Sequence, residues 1–73
     1  MNTLLNQAQT WLTELGVTTQ FQNTSSLFVS KQDVNSIGGP QELLNSLRNE
    51  LNNKKLYWND NEETIGWYIL QSF

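Results

Sequence analysis

Apolar residues at Leu4, Leu5, Ala8, Trp11, Leu12 and Leu15 recur at helical spacing, so a helix over roughly 4–15 carries one apolar stripe on an otherwise polar rod. Asn2 or Thr3 stands where a capping side chain is needed, and Gly16 where a left-handed residue would close the last turn. The pattern then changes period. Val17-Thr18-Thr19-Gln20-Phe21-Gln22 alternates at period two and is rich in strand formers, Asn23-Thr24-Ser25-Ser26 has turn chemistry, and Leu27-Phe28-Val29-Ser30-Lys31 reads as the returning strand. Together these form a hairpin. Gln32 to Gly39 has only Val34 and Ile37 as apolar positions and ends in Gly38-Gly39-Pro40, which predicts a loop. Pro40 suits the first position of a second helix, whose apolar residues Leu43, Leu44, Leu47 and Leu51 carry it to about residue 52. Glu42 suits its amino end, and Asn52-Asn53 with Lys54-Lys55 suit its carbonyl end.

The remaining segment predicts a second hairpin. A two-residue turn at Asn61-Glu62 would set Asp60 against Glu63, Trp58 against Ile65, Tyr57 against Gly66 and Leu56 against Trp67. Leu56, Trp58, Ile65, Trp67 and Ile69 would then form the core face. Tyr57, Tyr68 and Leu70 would occupy the opposite face, joined by Leu27 and Val29 if the first hairpin buries Phe21 and Phe28. The like charges at Asp60 and Glu63 disfavour that tight turn and leave a longer loop of similar register equally open. The resulting expectation is an α+β fold in two layers, with α-β-β-α-β-β order and a four-stranded antiparallel sheet bearing two helices on one face. Leu4-Leu5-Asn6 and Leu43-Leu44-Asn45 occupy equivalent places in the two α-β-β halves, which fits a doubled unit but is also what a shared amphipathic pattern produces.

Length sets how much such a pattern can hold. The 73 residues form one domain, residues 1–73, and a chain this short buries only about 60% of its unfolded surface. Charged residues make up 15% of it, and 30 of the 73 positions are Asn, Gln, Ser or Thr, so amides and hydroxyls replace ions on the surface. With no Cys and no His, the chain has no disulfide, no Cys nucleophile, no Ser-His-Asp triad and no Cys/His metal or haem ligand. A net charge of −3 is the wrong sign for holding a phosphate backbone. No run approaches the roughly 20 apolar residues of a spanning helix, and the first residues lack the basic and apolar regions of a secretory leader, so a cytoplasmic location is expected.

Three local motifs resolve into ordinary structure. Asn59-Asp60-Asn61-Glu62-Glu63 gathers oxygen ligands but lacks the span, central Gly and distal Glu of a calcium loop, and its adjacent carboxylates have no cleft to set their pKa values apart. Gly38-Gly39-Pro40 lacks the Lys and Ser/Thr of a phosphate loop, and Asn23-Thr24-Ser25 is a glycosylation pattern expected by chance in so Asn-rich a chain. No enzyme activity, cofactor or metal is therefore expected. Aromatic residues are abundant, with three Trp, two Tyr and three Phe, and core packing accounts for most of them. The surplus points to a protein-binding module, an adaptor, assembly factor or inhibitor, that uses a sheet face or edge and has a second copy of itself among its expected partners.

The partner-binding candidates are Tyr57, Tyr68 and Leu70 on the sheet and Asp60, Glu62 and Glu63 at the hairpin tip. An alternative is a phage or mobile-element inhibitor of a host protein that works through that acidic tip. A second alternative, single-stranded nucleic-acid binding on the sheet tyrosines, is disfavoured because Lys31, Arg48, Lys54 and Lys55 are the only cations.

Overall fold

The computed structural model describes residues 3–59 and 65–72. The elements are α1 (Thr3–Glu14), β1 (Thr19–Asn23), β2 (Ser26–Ser30), α2 (Lys31–Ser36), α3 (Pro40–Glu50), β3 (Leu56–Asn59) and β4 (Trp67–Ser72). The fold is α+β, and its four-stranded antiparallel sheet has the order β1-β2-β4-β3. Each hairpin contributes one inner and one edge strand, and β2 pairs with β4 to join them. Among the described residues there are three helices rather than two. The segment read as a loop contains α2, in which the Ser30 hydroxyl accepts from the Asp33 N–H at 3.3 Å and Val34 is fully buried. Six residues are too few to show a helical period; the available signal was Ser30 three residues before Asp33, an acidic variant of the capping box.

Both long helices stop by the same device. Gly16 has φ +84°, and the Val17 and Gly16 amides bond the Leu12 and Thr13 carbonyls at 3.0 Å each. At the end of α3, Asn52 has φ +50°, while the Asn53 and Asn52 amides bond the carbonyls of Arg48 and Asn49 at 3.0 and 3.2 Å. These are Schellman closures, one built on Gly and one on Asn, the two residue types that enter the left-handed region most readily. The first also places Val17 in the core with Leu12. Arg48 then ties α3 to β3, because its Nε and Nη2 both donate to the Leu56 carbonyl. The Asn2 cap lies outside the described residues.

The core joins Leu5, Ala8 and Leu12 of α1, Val34 of α2 and Leu43, Leu44 and Leu47 of α3 to Leu27, Val29, Leu56 and Leu70 of the sheet. Leu27 pairs with Leu70 and Leu70 with Trp58, so these four strand residues share one face, with Phe21, Trp58 and Tyr68 partly buried around them. This corrects the predicted second hairpin. Trp58 meets Leu70, five residues beyond its expected partner Ile65. An odd shift exchanges the faces of one strand. Leu56 and Trp58 stay on the core face, Trp67 and Ile69 turn to the other side, and Ile65 is 91% exposed. The chain accepts a longer connection because lengthening a loop adds little closure entropy, while this register brings four aliphatic residues into one cluster. Asn61, and with it the predicted two-residue turn, lies outside the described residues.

Candidate docking face of the sheet

The side of the sheet turned away from the core cluster is organised in cross-strand rows. One row is Tyr57, Gln71 and Ser26; the next is Asn59, Ile69, Phe28 and Gln20; Trp67 and Ser30 lie beyond. Ile69 is only 2% exposed, yet it is absent from the cluster that holds the other buried aliphatics. Its cover therefore comes from this side. Phe28 is its direct cross-strand partner, and the Phe28 and Trp67 rings stack with centroids 5.7 Å apart at 27°. Offset stacking of this kind is worth about 0.5–1.5 kcal/mol beyond the area it buries.

Polar side chains complete the face. The Gln71 Oε1 accepts from the Tyr57 hydroxyl at 3.1 Å and from the Asn59 Nδ2 at 3.0 Å, and the Gln71 Nε2 donates to the Ser26 hydroxyl at 2.8 Å. One amide thus bridges β3, β4 and β2. It also satisfies Ser26, which is 3% exposed and the one buried polar residue among those described. An unpaired hydroxyl there would cost about 1–3 kcal/mol. No charged residue occurs in any of the four strands, although the chain carries −3.

Only some of the expected binding residues lie here. Tyr57 is on this face, half-buried and tied to Gln71. Tyr68 and Leu70 are not. Leu70 is fully buried in the core, and Tyr68 packs on the core side against Trp58, with ring centroids 5.4 Å apart. The Tyr68 hydroxyl donates to Asn35 Oδ1 at 3.1 Å, and Lys31 Nζ lies 5.3 Å from its ring centroid. The face swap that follows from the register accounts for both differences. Asp60, Glu62 and Glu63 lie outside the described residues. Phe28 and Trp67, which form the centre of the face, were read as core; placing them needs the β2–β4 register, which no local pattern carries.

The chemistry available elsewhere is sparse. Among the described residues, no three His, Cys, Asp or Glu side chains gather as a metal site. Asp33 accepts the Thr18 amide at 2.8 Å, and that hydrogen bond, reinforced by Ser30, holds its carboxyl below the ordinary value of 3.8. Its role is to fasten α2 to the link between α1 and β1. No helix among the described residues is long and apolar enough to cross a membrane. A scan of family models finds no match to the chain, and neither do searches of curated proteins and of solved structures.

Proposed function

We propose that this chain is a small non-catalytic protein–protein interaction module whose docking face is the sheet side carrying Phe28, Trp67, Ile69 and Tyr57, and that its occupant is a second copy of the chain. The observation that carries the reading is the stacked Phe28–Trp67 pair on the side of the sheet away from the helices' buried residues. Charge favours self-recognition. Two copies of net charge −3 repel in most orientations, but a two-fold stacking of these faces brings together strands that carry no charged residue.

Area sets the strength. Strands about 4.8 Å apart and about 3.3 Å per residue give a flat footprint of about 300 Å² per copy. Two such faces fall short of the roughly 1,200–2,000 Å² of a stable specific complex, so the dimer belongs to the weak, transient class. A cytoplasmic setting belongs to the same proposal, because a chain without Cys draws nothing from an oxidising compartment.

Sedimentation equilibrium from about 10 μM to about 1 mM tests the reading. The mass should climb from 8.4 kDa toward twice that value, and Trp67→Lys, checked for retained circular dichroism, should hold it at the monomer. A constant 8.4 kDa mass across the range would overturn self-association.

A further inference from the structure

Two exposed apolar side chains lie together away from the sheet face. Leu15 is 47% and Ile37 46% exposed, and both line a groove of about 340 Å³ with Trp11, Leu43, Glu42 and Ser46. Their position follows from how two helices end. Leu15 is the last residue before the Gly16 closure of α1, and Ile37 caps the end of α2, so the chain turns away just after each and leaves its side chain against solvent. The result is a concave apolar surface, unlike the flatter sheet face, and it can take an inserted side chain.

The electrostatics around the groove have one sign. Glu42 lines it, with its carboxylate oxygen 2.8 Å from where a side chain on Gly38 would begin, which is beside Ile37. Glu14 adjoins Leu15 in the chain, and the carbonyl end of the twelve-residue α1 adds partial negative charge there. The cations are committed elsewhere: Arg48 and Lys54 line a separate polar cavity, Lys31 stands over Tyr68, and Lys55 precedes β3. An apolar groove with an acidic rim selects an apolar segment with a basic border. A second copy fits poorly here. It would bring net charge −3 to an acidic rim, and the most exposed apolar side chain it could offer, Ile65 at 91%, closely follows Glu62 and Glu63 in sequence.

We propose that the Trp11, Leu15, Ile37 and Leu43 groove is a docking site for an amphipathic protein segment whose apolar anchors are flanked by lysine or arginine. The site is separate from the sheet face, so the chain has two contact surfaces of different selectivity.

The probe is a short helical peptide of leucine and lysine with leucine at i, i+3, i+4 and i+7, compared with its leucine–glutamate counterpart. The full chain, labelled with 15N, is titrated with each. The basic peptide should shift amide signals around Trp11, Leu15, Ile37 and Leu43, and the acidic peptide should not. Ile37→Asp and Leu15→Asp should weaken binding at least about tenfold, Ile65→Asp should leave it unchanged, and 0.5 M salt should weaken it through screening. Both target residues are about half exposed, so the variants should keep the dispersed spectrum of the native fold. Glu42→Lys should reverse the preference between the two peptides, a result that simple loss of structure does not give. Equal binding of both peptides, shifts confined to Phe28, Ile69 and Trp67, or shifts in the groove on dilution without peptide would each overturn the proposal, the last by making the occupant a second copy.

Discussion

The two sides of the sheet solve the same burial problem with different residues. On the core side, Leu27, Val29, Leu56 and Leu70 reach 0% exposure because three helices contribute aliphatic residues to the same cluster. On the other side, Ile69 reaches 2% with a thinner cover that includes the Phe28 and Trp67 rings, and the surrounding polar groups bond one another through Gln71. Aliphatic packing suits a sealed layer, because it needs no hydrogen-bond partners. Rings and amides suit a layer in contact with water, because each combines apolar area or a flat surface with groups that remain satisfied when wet. Burial at one position is therefore not equivalent to burial at another; what lies behind the residue decides its energetic weight.

Removing side chains from the two layers gives the largest effects. Leu70→Ala opens a cavity in the core cluster and should cost about 3–5 kcal/mol by urea unfolding. Ile69→Ala should cost about 2 kcal/mol, because the thinner layer on its side can collapse into the gap. Equal losses would show that the two layers are equally rigid. Gln71→Ala comes next, at about 1–2 kcal/mol, because it removes the amide that bonds the buried Ser26 hydroxyl. Gln71→Glu keeps the acceptor to Tyr57 but loses the donor to Ser26, so it should fall between Gln71→Ala and the native chain at neutral pH.

The smallest effect lies outside the sheet and is read as a function of pH. Asp33 has its folded pKa lowered by the Thr18 amide, so its contribution is fully present above the ordinary value of 3.8 and is lost as pH falls through the lower folded value. The native chain should therefore be more stable than Asp33→Asn at pH 7, and the gap should close toward pH 2 in paired unfolding curves. A gap that persists in acid would assign the difference to hydrogen-bond geometry rather than to charge.

The helices were far more legible in the sequence than the pairing of the sheet, and the reason is locality. Leu5, Ala8 and Leu12 announce α1 by spacing, Gly16 marks its end, and Pro40 with Leu43, Leu44 and Leu47 does the same for α3. Each of these signals lies within a few turns of chain. Exchanging a face of the second hairpin took only a change of loop length, and the pairing that decides it, Leu27 with Leu70, joins residues far apart in the chain. Tyr68 and Leu70 moved to the core, and Trp67 and Ile69 away from it, for that one reason, while Phe28 lies beside Ile69 through the β2–β4 pairing. The groove between α1 and α3 was equally hidden, because its two exposed residues, Leu15 and Ile37, extend apolar patterns that elsewhere mean burial.

The most direct test of the two-sided sheet is a dilution series followed by 15N and methyl NMR. Signals of Phe28, Tyr57, Trp67 and Ile69 should shift together with concentration, while those of Leu27, Val29, Leu56 and Leu70 remain fixed. Concentration-independent spectra, or shifts that appear first around Leu15 and Ile37, would contradict the assignment of the Phe28–Trp67 side as the face through which this chain recognises itself.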